Sequence, residues 1–211
     1  MASNFGFPAA YEKYNTQFAG EKEVIGAMLW DTQTYTSGTT TSLAFFNAVR
    51  ANLSLGNMQQ AGALPAPEAF LVRSFRFYVK QQPRVVARAA SGSVQTGAID
   101  NVAQLVNSGV WTFTVASKVY AIVPLWKITA GGGVEPTLAA DGDVPSNGAI
   151  IDYAQNGVPH VRNAFVLARP LFLAPQINFS VTLTWPAAIT LAGGDTPITV
   201  ALEGDLVRPV Q

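Results

Sequence analysis

The amino-acid sequence predicts an all-β protein, a single jelly-roll β-sandwich of about eight strands with an extended N-terminal arm. Three observations predict this fold class. Apolar runs, several of them alternating with polar residues, recur along the chain and are separated by turn-forming residues. Helical periodicity is scarce, so the strand–helix alternation of α/β proteins is missing. The 211 residues suit one undivided sandwich, and no repeat of fixed period indicates a propeller or a solenoid.

The strongest strand pattern lies at Ile177–Trp185, where apolar residues occupy every second position. One face of the run Ala69–Lys80 is predicted to carry Leu71, Phe75, Phe77 and Val79. Further strands are predicted at Val24–Trp30, Val110–Val123, Ala149–Tyr153, His160–Ala168 and Pro197–Val207. The length of Val110–Val123 indicates either two strands or one long strand that bends near Ser117.

The segments between these strands are rich in turn formers. Asp31–Thr41 is dense in Thr, Ser and Gly and is predicted to be a turn or hairpin tip. Ser42–Leu53 fits either a short helix capped by its first residue or a strand. Asn52–Pro67 and Gly131–Gly148 are predicted to be loops. Asp100–Val106 is predicted to be a short helix with its first residue as the cap.

Charge is sparse in this chain. Charged residues make up 12% of it, against roughly 25% in typical soluble domains, while hydrophobic residues make up 49%. Such a composition suits a surface that is buried against other subunits, because charged residues are depleted from interface cores. A secreted or periplasmic β-protein rich in Thr, Ser, Asn and Gln is an equally good interpretation of composition alone.

Charge balance and residue usage exclude several classes of protein. The 13 basic and 13 acidic residues cancel, so we expect no sequence-specific nucleic-acid partner. Cysteine is absent, which excludes disulfides and thiolate metal sites and mildly favours assembly in a reducing cytosol. The first residues lack the pattern of a secretory signal peptide, and no apolar run predicts a transmembrane helix.

Residues 1–22 are predicted to form an arm and residues 23–211 the jelly-roll domain. The aromatic residues of the arm follow neither a strand period nor a helix period; they are Phe5, Phe7, Tyr11, Tyr14 and Phe18. Because aromatic side chains dominate interface energetics, we expect these five to contact a neighbouring subunit. The alternative is an arm that folds back on its own domain.

The sequence contains few residues arranged as catalytic or metal-binding motifs. His160 is the only histidine and no Gly-x-Ser-x-Gly motif is present, so neither a catalytic triad nor a cupin-type metal site is expected. Asp141 and Asp143 resemble a fragment of a calcium loop, but a solvated turn is the preferred interpretation. Glu203 and Asp205 lie on one face of the last strand, where a solvated or interface face is preferred over a hydrolytic pair. No cofactor is predicted.

Three further patterns have possible ligands. The triple glycine at 131–133 precedes no helix, so it predicts a flexible loop and not a phosphate cradle. The basic cluster consists of Arg73, Arg76, Lys80, Arg84 and Arg88, and aromatic residues interleave it. Such interleaving occurs at single-stranded nucleic-acid sites, but anionic lipid or the carboxylates of a neighbouring subunit are alternatives. Trp30, Trp126 and Tyr153 are candidates for stacking on sugars.

The stretch from Asn57 to Val72 carries a resemblance to a known family. It contains an Asn-Met…Gly…Leu-Pro loop, Asn-Met-Gln-Gln-Ala-Gly-Ala-Leu-Pro, that runs into a long strand. Together with the aromatic arm, this loop resembles jelly-roll coat proteins of tailless icosahedral bacteriophages, including those that contain an internal membrane. The resemblance covers residues 24–80. It implies a single upright jelly roll that forms capsomers on an icosahedral lattice, and it implies no catalytic residues.

We therefore expect a structural virion protein, a capsid subunit that self-assembles into an icosahedral shell and is not an enzyme. The expected partners are further copies of itself, other capsid proteins and an internal viral membrane; no small-molecule substrate is expected. The expected location is the virion, after assembly in the host cytoplasm. The alternative is a lectin-like or adhesin-type β-sandwich binding module. A hydrolase that uses one of the carboxylate pairs is a third possibility.

Overall fold

A computed structural model describes residues 22–80, 84–87, 98–128, 135–140, 149–155, 164–191 and 194–210. Of residues 84–87, 98–100, 135–140 and 149–155, only the backbone is described. The described chain contains eleven strands, one α-helix and one short 3-10 helix. The strands are β1 Lys22–Tyr35, β2 Ser42–Phe45, β3 Ala69–Val79, β4 Arg84–Ala87, β5 Val110–Val115, β6 Lys118–Pro124, β7 Glu135–Ala140, β8 Ala149–Gln155, β9 Phe165–Leu173, β10 Phe179–Thr184 and β11 Thr196–Pro209. The helix α1 is Ala98–Ser108, and the 3-10 helix is Leu125–Lys127.

Eight of these strands form two four-stranded antiparallel sheets. The first sheet has the strand order β1-β11-β3-β9, and the second sheet has the order β2-β10-β5-β6. Within these eight, the first strand pairs with the last, the second with the seventh, the third with the sixth, and the fourth with the fifth. Such nested pairing is what results when a long antiparallel hairpin is rolled up into a sandwich, which is the jelly roll. The predicted all-β jelly-roll sandwich is confirmed.

The three remaining strands form a separate small sheet with the order β4-β8-β7. Its strands come from two connections of the jelly roll. One connection runs from β3 to β5 and contains β4 and α1, and the other runs from β6 to β9 and contains β7 and β8. The jelly roll is therefore elaborated between its third and fourth strands and between its fifth and sixth strands.

The core lies between the two four-stranded sheets and is rich in aromatic rings. Phe75 of β3 lies at its centre, with its ring centroid 5.1 Å from that of Trp111 and 5.4 Å from that of Phe113, both on β5. Phe165 of β9 stacks on Phe75 at 6.0 Å. Each such pair contributes roughly 0.5–1.5 kcal/mol beyond the burial of its area. One cluster of rings thus joins both sheets.

Helix α1 contributes to the same core through Val102, Leu105 and Val106, which are buried. The indole Nε1 of Trp185 donates to the carbonyl oxygen of Leu105 at 3.0 Å and ties the helix to the end of β10. The predicted helix is confirmed, but its predicted cap is not. The helix begins at Ala98, so Asp100 lies inside its first turn.

A β-bulge in β3 changes which of its side chains enter the core. The register against β11 passes from Val72 to Ser74, so that Arg73 is an extra residue of β3. Phe70 and Val72 therefore join Phe75, Phe77 and Val79 in the core cluster. The prediction that Leu71 shares a face with Phe75 is wrong, because regular alternation assumes a strand without a bulge.

Several predicted boundaries also differ from the observed ones. β1 continues to Tyr35, because Asp31–Tyr35 pairs residue by residue with β11 and is not a turn. Within Ser42–Leu53 only the first four residues form a strand, which decides the open alternative there. The predicted loop Gly131–Gly148 contains strand β7. The strand predicted at His160–Ala168 is observed at Phe165–Leu173, while residues 160–163 lie outside the described residues.

The structure decides between the two alternatives for Val110–Val123 in favour of two strands. β5 and β6 are two strands joined by the turn at Ala116 and Ser117, where Ala116 adopts a φ of 52°. The predicted strand at Ile177–Trp185 is confirmed over Phe179–Thr184. The last strand is longer than the predicted Pro197–Val207 by one residue at its start and two at its end.

Candidate functional site

The second sheet presents an outer face of small, uncharged side chains. Along β5 and β10, alternate residues such as Trp111, Phe113 and Val181 point into the core, so the residues between them point away from it. The outward residues of these two strands are Thr112, Thr114, Ser180, Thr182 and Thr184. The strand register aligns Ala44, Thr182, Thr112 and Ile122 in one row across all four strands.

Charge is almost absent from this sheet. Among all residues of β2, β5, β6 and β10, only Lys118 is charged, and it is the first residue of β6. On β6, Val119 is 56% exposed and Ile122 is 68% exposed. Large exposed apolar side chains beside an uncharged face are typical of a protein–protein contact.

The first sheet is different, because its outer face carries ion pairs between β3 and β11. Arg73 Nη2 lies 2.6 Å from Asp205 Oδ2, and Arg76 pairs with Glu203. Ser74 Oγ also donates to Glu203 Oε2 at 2.9 Å. The two outer faces of the sandwich therefore have opposite character, one charged and internally paired, the other uncharged.

These contacts also determine what the predicted pair of Glu203 and Asp205 can do. Both lie on the outer face of β11, as predicted, but each binds an arginine of the neighbouring strand. A hydrolytic pair needs two carboxylates that flank a substrate, one as the acid and one as the base or nucleophile. The observed arrangement instead crosslinks two strands on an open sheet face.

The predicted basic cluster is divided among several contacts. Arg73 and Arg76 form the ion pairs just described, and Lys80 Nζ donates to the carbonyl oxygen of Ser54 at 3.4 Å. The side chain of Arg84 and the whole of Arg88 lie outside the described residues. Two of the five cationic groups are thus neutralised within the first sheet, which weakens the case for an anionic ligand there.

A buried ion pair joins β1 to the loop that follows β2, and sequence reasoning missed it. The fully buried carboxylate of Asp31 accepts from Arg50 Nε at 2.6 Å, from Arg50 Nη2 at 3.0 Å and from the backbone N–H of Phe46 at 2.6 Å. The hydrogen bond to Asp31 raises the pKa of Arg50, partial burial lowers it, and the charge of Asp31 raises it further. The guanidinium therefore stays charged.

The ion pair leaves no room for a side chain at position 56, where Gly56 forms an isolated β-bridge with Asp31. A Cβ added at Gly56 would lie 2.8 Å from Arg50 Cγ and 3.2 Å from the carbonyl oxygen of Trp30. The sequence contains one sign of the ion pair between Asp31 and Arg50. Arg50 is the only basic residue between Lys22 and Arg73, so it has no like-charged neighbour nearby in the chain.

The aromatic candidates for sugar stacking have different environments. The indole Nε1 of Trp30 donates to the carbonyl oxygen of Leu53 at 3.0 Å, and its side chain is half-buried. Trp126, in the 3-10 helix after β6, is 57% exposed. The side chain of Tyr153 lies outside the described residues. Of the three, Trp126 offers the most accessible ring that the structure describes.

Other predicted site residues also lie outside the described residues. They are the arm aromatics Phe5, Phe7, Tyr11, Tyr14 and Phe18, the loop carboxylates Asp141 and Asp143, the triple glycine at 131–133, and His160. Contact of the arm with a neighbouring subunit, and a solvated turn at the loop carboxylates, stay predictions.

Some depressions of the surface are lined by described residues. One of about 140 Å³ lies beside β1 and includes Glu68 and Arg208, and another of about 460 Å³ lies beside Gln104, Asn107 and Ser108 of α1. Among the described residues, no group of three or more His, Cys, Asp or Glu is placed to hold a metal ion. Within the same part of the chain, no helix has the length and apolarity to cross a membrane.

Comparison of the chain with protein-family models, with curated proteins and with solved structures found no match.

Proposed function

We propose that this chain is a structural virion protein, a capsid subunit that self-assembles into an icosahedral shell. The observation that carries the proposal is the outer face of the second sheet. In the single chain its outward side chains on β5 and β10 are half-buried to exposed, the sheet has one charged residue, and its edge displays Val119 and Ile122. Contact with further subunits would remove these apolar side chains from water at little electrostatic cost.

The jelly roll supports the proposal but does not select it, because capsid proteins, lectins and cupin-type enzymes share this architecture. What favours the shell is the distribution of charge over the sandwich. Charged side chains on the first sheet satisfy one another across β3 and β11, while the second sheet has almost none. A freely diffusing monomer would be expected to carry charge on both faces.

The partners follow from the same proposal. The first partner is a second copy of the chain, and other capsid proteins and an internal viral membrane are further partners. The shell would assemble in the host cytoplasm and reside in the virion. The sparse charge of the whole chain, 12% of its residues, agrees with a surface that is largely shared with neighbours.

Assembly of the purified chain tests the proposal. The full chain is concentrated in buffers of decreasing ionic strength and examined by light scattering and negative-stain electron microscopy. Closed particles of uniform diameter are the expected result. A monomer that persists at every concentration and salt condition would overturn the proposal.

A second candidate is the lectin-like binding module, and the exposure of Trp126 favours it. A tryptophan ring exposed next to a strand can stack on the apolar face of a sugar. A glycan array with the full chain and with Trp126→Ala tests this alternative. A signal that the substitution abolishes would support it, and an array with no signal would contradict it.

A further inference from the structure

Strand β6 forms an edge of the second sheet, and among the described strands it pairs only with β5. The register against β5 shifts between Phe113 and Thr114, which leaves Tyr120 as an extra residue. Val119, Tyr120 and Ile122 are consequently all exposed, by 56%, 52% and 68%. A long apolar edge strand is a template for pairing with another strand, unless something protects it.

The other three edges of the sandwich carry such protection. The edge of β1 is covered by the loop that follows β2. There, Thr32 N donates to Leu55 O at 2.7 Å and Asn57 N donates to Trp30 O at 3.2 Å. β2 is only four residues long. β9 contains an arginine followed by a proline, Arg169 and Pro170, which oppose the addition of a strand. Among the described residues no loop hydrogen-bonds to the backbone of Val119–Val123, β6 is three residues longer than β2, and its one charge, Lys118, and its proline, Pro124, lie at its two ends.

We infer that β6 pairs antiparallel with β6 of a second copy of this chain, in a register centred on Ala121. The two second sheets would then join into one continuous eight-stranded sheet across a two-fold axis. Two-fold symmetric dimers are the commonest homo-oligomers, and addition of a strand to an exposed sheet edge is a recurring mode of association. The inference rests on the proposed shell function for its biological use and assigns one of the contacts within the shell.

Charge and side-chain type favour this partner and this register. In an antiparallel pair centred on Ala121, Lys118 is at the first end of one strand and at the far end of the other, so the two lysines are at opposite ends of the contact. A parallel pair would place them side by side, which is unfavourable. The same antiparallel register places Tyr120 opposite Ile122, an aromatic–β-branched pair that stabilises sheets, and the two-fold axis generates it twice.

Sedimentation equilibrium of the full chain tests the contact. Ile122→Lys places a charge in the centre of the proposed contact, and its exposed position leaves the monomer folded. Its matched control is Val166→Lys on the edge strand β9, where the native side chain is 66% exposed. We expect Ile122→Lys to raise the dissociation constant of the dimer by on the order of tenfold or more, because each dimer loses two equivalent pairs. The control should keep the native dissociation constant, and equal effects of both substitutions would overturn the inference.

Disulfide mapping tests the register. Because the native chain contains no cysteine, every crosslink must come from the introduced cysteines. Chains with Tyr120→Cys are mixed with chains with Ile122→Cys under mild oxidation. Directly opposite residues have Cα atoms roughly 4.5–5.5 Å apart, a separation that a disulfide can span. Crosslinks between unlike chains should exceed those between like chains. A dimer in which unlike chains show no such excess would overturn the register.

The same variants separate this inference from the proposed function. If Ile122→Lys still forms complete shells with native yield, the β6 contact is wrong and the shell function stands. If the native chain dimerises through β6 but never forms closed particles, the contact stands and the shell function is wrong.

Discussion

Asp31 shows how one buried charge can organise a loop. Its carboxylate is fully buried and binds Arg50 and the N–H of Phe46, and this fixes the start of the loop that covers the edge of β1. Removal of one partner from a buried pair leaves the other groups without their charge-assisted hydrogen bonds. Removal of Asp31 should therefore cost more stability than removal of one partner of a surface ion pair.

We predict that Asp31→Ala lowers the free energy of unfolding by about 3 kcal/mol, measured by urea denaturation. The control is Asp205→Ala, which breaks the pair with Arg73, a side chain that is 51% exposed. Surface pairs of that kind contribute less than about 1 kcal/mol. Equal losses in the two variants would contradict a special role for the buried carboxylate.

At the scale of the element, the bulge in β3 depends on a glycine in β11. The strand pairing skips Arg73 between Val72 and Ser74, and Gly204 lies opposite this irregularity. A Cβ added at Gly204 would collide with the carbonyl oxygen of Leu71, so the backbones of β3 and β11 approach too closely for any other residue.

Gly204→Ala should therefore lower the free energy of unfolding by about 2 kcal/mol or more, because the two strands must move apart. Thermal and urea unfolding of the variant measure the loss. Gly26→Ala in β1 is the matched control, since no atom lies within 4 Å of a Cβ built there. That control should change stability by no more than about 0.5 kcal/mol. Similar losses in both variants would contradict the close approach.

The elements themselves were largely predictable from the sequence, because alternation at Phe179–Thr184 and an interruption or bend near Ser117 follow from local pattern alone. What escaped prediction depends on distant partners. Asp31–Tyr35 looks like a turn in isolation and becomes strand because β11 pairs with it. The prediction for the face of Leu71 is wrong because a bulge depends on the neighbouring strand and not on the local sequence.

The candidate surface was predictable in kind but not in place. Composition indicates a weakly charged surface, yet nothing in the local sequence distinguishes Thr112 and Thr182 from other threonines. Only the strand register aligns them into a single uncharged face, and only sheet order makes β6 an edge. Ion pairs such as Arg73 with Asp205 likewise join residues far apart in the chain.

At the scale of the whole molecule, the contrast between the two outer faces predicts how assembly responds to added charge. We predict that Thr184→Lys, on the uncharged face, reduces the yield of closed particles by on the order of tenfold or more, since a buried unpaired charge opposes association. Val24→Lys adds the same charge to β1 of the first sheet, where the native side chain is 42% exposed, and should leave the yield unchanged. Particle counts by electron microscopy compare the two, and equal yields would contradict the role of the second sheet.

Deletion of residues 1–21 tests the predicted arm. β1 begins at Lys22, so the shortened chain retains every described strand of the sandwich. We predict an unchanged unfolding midpoint and a strongly reduced particle yield, because Phe5, Phe7, Tyr11, Tyr14 and Phe18 would no longer contact a neighbour. Urea denaturation and light scattering measure the two properties. An unfolded deletion variant would instead favour an arm that folds back on its own domain.

The pairing of β1 with β11 has a consequence for how the protein is made. β11 lies between β1 and β3 in the first sheet. β1 therefore has no partner strand in that sheet until the residues from Thr196 onward have left the ribosome. Lys22 must then find Pro209 across nearly the whole length of the chain. Contacts between such distant residues form slowly, because the entropy of closing the loop is lost before any contact stabilises it. Nascent chains would therefore stay incomplete as folded units until β11 has been synthesised, which delays association between subunits until the whole sandwich is present.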